Sequence, residues 1–198
     1  GSELTSSKIV KKISFTGSTE IGKILIKQCA DTVKKVSMEL GGNAPFIIFN
    51  DADIDKAVEG AIASKYRNAG QTCVCTNRIL VQSGIKEEFL KHYVKAVEKL
   101  KVGDGMESNV EIGPLIDQGA IDKVEDLVKD ALDNGANLMT GGGKYKEDSL
   151  YYQPTVICDV TSQMNIADEE IFGPVSTIFE FETEEEAIKI ANDTPFGL

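Results

Sequence analysis

The sequence predicts an α/β protein in which a mostly parallel sheet is covered by helices. Strand-like and helix-like hydrophobic periods alternate along most of the 198 residues, the pattern that folds as successive βαβ units. Residues 44–49 form a continuous apolar run, as expected of a strand buried on both faces of a parallel sheet. From the N-terminus, residues 12–16 read as a short strand. Gly17, Ser18 and Thr19 then turn the chain into a helix over 20–30, with Ile21, Ile24, Leu25 and Cys29 on its inner face. A second strand covers 33–40. After the 44–49 run, Asp51 and Asp53 cap a long helix that ends near residue 68. Residues 77–82 form the next strand, and 86–100 an amphipathic helix with Phe89, Tyr93, Val97 and Leu100 inward. A helix over 117–134 is stopped by Gly135. Strands at 137–140, 153–158 and 176–181 and a closing helix over 184–192 complete the pattern. Gly141 to Gly143, followed by polar residues 144–149, reads as a flexible surface connector. Both ends read as cut, since Gly1-Ser2 resembles a tag remnant and the chain stops at the turn signal Thr194-Pro-Phe-Gly-Leu198. A fragment is therefore expected.

Charge and composition exclude several classes. Lys and Arg number 21 against 32 Asp and Glu, a formal net charge of −11, and no basic stripe of the kind that neutralises phosphates is present, so no nucleic-acid partner is expected. Hydrophobic residues make up 41% and charged residues 27%, which excludes global disorder. No apolar run approaches the roughly 18 residues needed to cross a bilayer, and no signal-peptide stretch opens the chain. No membrane partner and a cytoplasmic address are the expectations. The four cysteines read as free thiols, with Cys29 and Cys158 as small core residues. No metal site is expected, because Cys73-Val-Cys75 lacks the C-x-x-C spacing and the single histidine, His92, is far away and reads as a solvated helix residue.

Three segments carry chemistry. In Asn68-Ala-Gly-Gln-Thr-Cys73-Val-Cys75 a small, glycine-loosened turn at a helix end presents a thiol instead of burying it. Such a thiol is a candidate nucleophile, provided its pKa is lowered or a base meets it. No histidine is placed to help, which weakens a cysteine protease or acyltransferase and leaves a carboxylate as the candidate base. Glu39-Leu-Gly-Gly-Asn43 supplies one at the carboxyl end of a strand, where α/β sheets place function; a strand-edge Glu beside a tight turn would look alike. Thr16-Gly-Ser-Thr-Glu-Ile-Gly22 is a strand-to-helix junction whose backbone N–H groups suit a phosphate. It is not G-x-G-x-x-G, and an ordinary capped turn would read the same.

Taken with longer flanks, these segments resemble the aldehyde dehydrogenase superfamily. Met38-Glu-Leu-Gly-Gly-Asn-Ala-Pro45 is similar to its glutamate motif and Tyr66-Arg-Asn-Ala-Gly-Gln-Thr-Cys73 to its cysteine motif, at the family's separation and order. Phe15-Thr-Gly-Ser-Thr-Glu-Ile-Gly22 resembles the phosphate turn, Glu169-Glu-Ile-Phe-Gly-Pro174 the nicotinamide-side motif, and Asn192-Asp-Thr-Pro-Phe-Gly-Leu198 the next landmark. The likeness covers nearly the whole chain; Tyr66 departs from the family's frequent Phe. The cysteine neighbourhood is most similar to succinate-semialdehyde dehydrogenases.

The resemblance implies an aldehyde dehydrogenase catalytic-domain-like fold, with residues 1–40 the C-terminal strip of a Rossmann-like cofactor domain and 41–198 a truncated catalytic domain. It implies NAD- or NADP-dependent oxidation of a small-molecule aldehyde, with succinate semialdehyde favoured. Cys73 would attack the aldehyde carbon to give a thiohemiacetal, hydride would pass to the nicotinamide, and water activated by Glu39 would hydrolyse the thioester. Thr16, Gly17, Ser18, Leu40, Glu170 and Phe172 would contact the cofactor. Arg67 would pair with a carboxylate at the far end of the substrate, and Cys75 would form a redox-sensitive disulfide with Cys73. The family's second oxyanion donor, an asparagine, is not matched by Asn68. The full-length protein would be a homo-oligomer, and the fragment alone inactive or weakly active. The competing classes are a non-catalytic scaffold or redox-sensing thiol module, and a cysteine hydrolase that uses thioester chemistry without hydride transfer.

Overall fold

The alternation of strand and helix is present in the computed structural model, which describes residues 1–198 and separates into two units, residues 1–42 with Leu198 and residues 43–197. The first unit contains α1 (Ser2–Ser6), β1 (Lys12–Thr16), α2 (Thr19–Ala30) and β2 (Lys35–Glu39). β1 and β2 pair in parallel with Thr16 opposite Glu39, so the carboxyl ends of both strands, and the residues the sequence marks there, lie side by side. Ser18 caps α2, its Oγ accepting from the Ile21 N–H at 3.4 Å.

One expectation fails in this unit. Along α2 only Gly22 and Cys29 are buried, while Ile21 and Ile24 are 45% and 49% exposed and Leu25 is half-buried. A 3.6-residue period marks an apolar stripe, and of that stripe only the line through Gly22 and Cys29 is covered within residues 1–198. α1 escapes the sequence reading because five residues are too few to show a period; Thr5 Oγ1 donates to Gln28 Oε1 at 2.8 Å and ties it to α2.

The second unit contains β3 (Ala44–Ile48), α3 (Ile54–Tyr66), a short 3₁₀ turn (Arg67–Gly70), β4 (Thr76–Gln82), α4 (Ser83–Val97), α5 (Gln118–Asp133), β5 (Asn137–Thr140), β6 (Thr155–Cys158), α6 (Asn165–Asp168), β7 (Val175–Phe181) and α7 (Glu184–Asn192). Its five strands run in the order β3-β4-β7-β6-β5. All neighbours are parallel except β5 and β6. β4 and β7 are central and almost wholly buried. Phe89, Tyr93 and Val97 of α4 and Ile121, Val124, Val128 and Ala131 of α5 are buried, at the helical spacing that turns one face of each to the core. Asp53, Asp117 and Thr183 cap α3, α5 and α7 through their side-chain oxygens. Cys29 and Cys158 are buried as expected, and all four cysteines are free thiols. No helix is long and apolar enough to cross a membrane.

β3 corrects a second expectation. It is the edge strand of the sheet, and Pro45 and Ile47 are exposed while Ile48 is buried. Pro45 is the clue that the apolar run concealed: with no N–H to give a ladder, proline is confined to edges. The 141–153 segment is not a free connector either. The Gly142 N–H donates to Thr155 Oγ1 at 2.8 Å, the Gln153 N–H to the Gly143 carbonyl at 3.0 Å and the Tyr145 N–H to the Tyr151 carbonyl at 2.8 Å, closing the excursion on itself. α4 begins three residues earlier than its period suggests, because Ser83 follows β4 directly with Gln82 at the N-cap.

Candidate active site

The thiol turn is built from the end of α3. Tyr66 is buried, and its hydroxyl donates to the Thr155 carbonyl at 2.9 Å and accepts from Ser176 Oγ at 3.0 Å. Ser176 in turn shares a 2.7 Å bond with the Tyr93 hydroxyl. Burial pushes both phenol pKa values up, so both remain protonated. This network gives the tyrosine at position 66 a task that phenylalanine could not perform: it pins the last turn of α3 to β6 and β7.

Beyond Tyr66 the backbone leaves helical geometry. Asn68, Ala69 and Gly70 are consecutively left-handed, with φ of 52°, 54° and 74°, a conformation that costs an L-residue about 1–2 kcal/mol. The surroundings hold it there. Asn68 and Gln71 exchange side-chain-to-backbone bonds at 3.0 and 3.2 Å, and Gln71 also donates to the Pro114 carbonyl and accepts from the Ile116 N–H. The reversal delivers Cys73 to a turn closed by the Cys75 N–H donating to the Thr72 carbonyl at 3.2 Å. Cys73 is half-buried, whereas Cys75, two residues on, is buried with its thiol donating to the Gly70 carbonyl at 3.2 Å. None of the hydrogen bonds of this turn uses the Cys73 N–H, leaving a donor beside the sulfur. Arg67 is exposed and forms no ion pair within the chain.

The loop of residues 169–174 meets this turn. A Cβ on Gly70 would lie 2.1 Å from the Gly173 carbonyl oxygen, so the two backbones approach as only glycine permits. Glu170 is half-buried, its carbonyl accepting from Lys123 Nζ at 2.6 Å, and Phe172 is exposed with φ of 56°. In the second unit, then, the turn that carries Arg67, Cys73 and Cys75 and the loop that carries Glu170 and Phe172 meet at Gly70 and Gly173. The first unit brings together Thr16, Gly17, Ser18, Glu39 and Leu40, the Gly17 N–H donating to the Glu39 carbonyl at 3.0 Å. There the N–H groups of Thr19 and Glu20 open a twelve-residue helix and have no protein acceptor, which suits an anionic phosphate group; the Glu20 carboxylate in the same turn opposes it.

Two site-side residues escaped the sequence reading. Lys65 is fully buried and its ammonium has no hydrogen-bond partner. Burial pushes its pKa below the ordinary lysine value, with Cys75 and Glu170 pulling the other way. Its signal was present, since Ala57, Ala61 and Lys65 occupy one buried stripe of α3. Asn77, buried in β4, donates from Nδ2 to the Glu169 carbonyl at 2.8 Å and accepts at Oδ1 from the Ile171 N–H at 3.2 Å. A cavity of about 340 Å³ lined by Arg78, Val160, Asp168, Glu180 and Lys189 contains none of the expected site residues.

A family model described as the aldehyde dehydrogenase family matches residues 1–198. The NADP-dependent succinate-semialdehyde dehydrogenase GabD of Escherichia coli is 54% identical over 198 residues, which are 100% of this chain and 41% of that protein. The 3-sulfolactaldehyde dehydrogenase of Pseudomonas putida is 56% identical with the same coverage, 100% and 41%. The crystal structure of an NADP-dependent enzyme from Escherichia coli superposes with a TM-score of 0.98 at 54% identity, covering 100% of this chain and 41% of that one. The chain spans about two-fifths of the length of the curated relatives it matches.

Proposed function

Because the chain belongs to the aldehyde dehydrogenase family, we propose that the protein carrying it oxidises small aldehydes with a distal anionic group, using Cys73 as nucleophile and NAD or NADP as cofactor. The observation that carries the reading is the half-buried Cys73 turn, forced by left-handed residues 68–70 and packed against the Glu170 loop at Gly173. Residues 1–40 serve as a strip of the cofactor domain and 41–198 as the catalytic domain.

Cys73 attacks as thiolate. A C–S bond forms, the carbonyl π pair moves to oxygen, and the Cys73 N–H donates to that developing oxyanion. A bound nicotinamide cofactor would supply the acceptor for the hydride that leaves this carbon as the oxyanion pair re-forms the C=O bond of a thioester. Glu39 then takes a proton from water, whose oxygen adds to the thioester carbon; the C–S bond breaks with its pair returning to sulfur, giving the acid and the Cys73 thiolate, and Glu39 releases its proton to solvent. Thr16, Gly17, Ser18 and Leu40, around the open N-terminus of α2, hold the phosphate and nicotinamide side of the cofactor, and Glu170 and Phe172 its ribose side. Arg67 receives the distal anion, since a guanidinium fork matches two anionic oxygens. Succinate semialdehyde is the favoured substrate. The names of the relatives from Escherichia coli and Pseudomonas putida give one carboxylate and one sulfonate at that end, and the same fork serves either. Cys75, buried and bonded to Gly70, joins Cys73 in a disulfide only after its thiol leaves that carbonyl and when a peroxide takes the two electrons, oxidising one thiol to a sulfenic acid from which the other thiol then displaces water. The whole protein assembles as a homo-oligomer, and the 198-residue chain alone turns over slowly or not at all.

The test is aldehyde-dependent reduction of NAD and NADP by the complete gene product, wild type and Cys73→Ala, on succinate semialdehyde and an uncharged aldehyde of similar length. The alanine variant should lose about 10³-fold or more, and Arg67→Ala should raise KM for the charged substrate alone. Absence of cofactor reduction by the wild type, or its survival in Cys73→Ala, would refute the proposal.

A further inference from the structure

The Glu169–Pro174 loop poses a backbone problem. Residues 170–172 belong to no helix or ladder, yet Ile171 is buried, and buried peptide groups without partners are costly. Side chains from elsewhere supply the partners. Asn77 donates to the Glu169 carbonyl at 2.8 Å and accepts from the Ile171 N–H at 3.2 Å, and Lys123 donates to the Glu170 carbonyl between them. One amide therefore grips the chain on both sides of Glu170.

The Asn77 amide is itself fixed. Its Nδ2 also donates to Asn43 Oδ1 at 2.6 Å, while Asn43 Nδ2 donates to the Ala167 carbonyl at 2.9 Å. Asn43 and Asn77 are 1% and 2% exposed. With two donated bonds and one accepted, only one orientation of the Asn77 amide satisfies all three partners. Its own carbonyl accepts from Thr177 Oγ1 at 2.7 Å, anchoring it to the central strand pair β4–β7. The chemistry requires this residue type: aspartate lacks both donors and would set its charge against two acceptor oxygens, and alanine would leave three polar groups, two of them buried, without this partner.

We infer that Asn77 is a positioning residue that sets the Glu170 loop in register for the cofactor, four residues beyond the nucleophile and through an amide relay begun at Asn43. The inference rests on the functional reading above, in which Glu170 contacts the cofactor ribose. Loss of the grip lets residues 169–171 shift, while Gly173 stays against Gly70 and the Cys73 turn, because the next residue, Pro174, is anchored separately by its carbonyl accepting from the Thr155 N–H at 2.9 Å. That asymmetry separates positioning from general support of the fold.

Asn77→Asp and Asn77→Ala in the complete gene product provide the test, with two activities read on each: NAD(P) reduction as a function of cofactor concentration, and hydrolysis of p-nitrophenyl acetate without cofactor, which uses Cys73 and Glu39 but neither the cofactor nor Glu170. Both variants should lose about 10²-fold in kcat/KM for the cofactor, the cost of a displacement of order 1 Å, while ester hydrolysis stays within about threefold of wild type. Glu170→Gln should lose cofactor kcat/KM to a similar degree, and the Asn77→Ala/Glu170→Gln double variant no more than the larger single loss, because both act through one carboxylate. Equal losses in both activities, an unchanged cofactor kcat/KM, or additive losses in the double variant would each overturn the positioning role. A wild type that hydrolyses the ester but never reduces NAD(P) would overturn the functional reading, and this inference with it.

Discussion

Replacing Gly70 by alanine tests whether the thiol turn is held by backbone contact. The added Cβ would stand 2.1 Å from the Gly173 oxygen and 2.6 Å from its carbonyl carbon, whereas carbon and oxygen meet ordinarily at about 3.3 Å. Relief requires the turn and the loop to separate by about 1.2 Å, a figure that follows from that contact distance. No rotamer change can provide it, because the obstacle is main chain, and the Gly173 oxygen already accepts from the Val175 N–H at 2.9 Å. The left-handed φ of 74° adds about 1–2 kcal/mol for an alanine. Together with overpacking of about 1–3 kcal/mol, Gly70→Ala should lower unfolding stability by roughly 2–5 kcal/mol. Where the protein still folds, a misplaced Cys73 should cost about 10²-fold in turnover. Gly135→Ala is the control: its φ of 99° is equally left-handed, but nothing lies within 4 Å of the added carbon, so about 1–2 kcal/mol of strain is the whole effect. Urea midpoints and single-turnover rates on both variants decide the matter. A Gly70→Ala protein as stable as Gly135→Ala, with turnover within about threefold of wild type, would show that the approach to Gly173 does not position the thiol.

Two charge substitutions make predictions with opposite signs. Burial holds the Lys65 pKa below its ordinary 10.5, so the unfolded chain binds this proton more tightly and stability rises with pH up to that value; Lys65→Met should therefore raise the melting temperature at pH 7, with the advantage shrinking towards pH 10.5, and a lower melting temperature at pH 7 would contradict this. At the far end of β6, Lys86 lies 2.6 Å from Asp159 and also pairs with Glu180, and the bonds from Lys86 and then Asn137 hold the Asp159 carboxyl down from 3.8 to about 2. That contribution is present above pH 3.8 and is lost as pH falls through about 2; because Asp159 is 42% exposed, solvent screening reduces it to about 1 kcal/mol, so Lys86→Met should melt lower at pH 7 and converge with wild type near pH 2. A gap that persists in acid would assign the loss to packing of the lysine stem instead.

The elements most legible in the sequence are those with local punctuation at both ends. β1, β5 and α7 fall where their periods place them, because Gly17, Gly141 and the capping Thr183 stop or start them within the chain itself. The failures lie where the deciding contact is remote. Periodicity marks the apolar stripe of α2 but not which part of it these residues cover, and so places Ile21 and Ile24 inside. For β3 the apolar run suggested two covered faces, although the proline within it already argued for an edge.

The candidate site divides along the same line. Cys73 and Glu39 stand out as candidates because each lies beside glycines, which mark the close approaches that ligands and neighbouring backbones require, whereas Glu170 is singled out only through the family resemblance of residues 169–174. What holds such residues is harder to read. Non-glycine left-handed residues fall at 68 and 69 before the thiol and at 172 after Glu170, so both segments have left the regular ladders that would satisfy their backbone groups. Satisfaction then has to come from side chains fixed elsewhere: Asn77 reaches Glu169 across a separation of 92 residues, and no local pattern around an asparagine in a strand announces that. Lys65 differs, since a lysine in line with Ala57 and Ala61 breaks a buried stripe and could have been noticed from spacing alone. A site built on irregular backbone is thus legible in its reactive groups and largely hidden in its supports, because the first are set by local chemistry and the second by the register of distant strands.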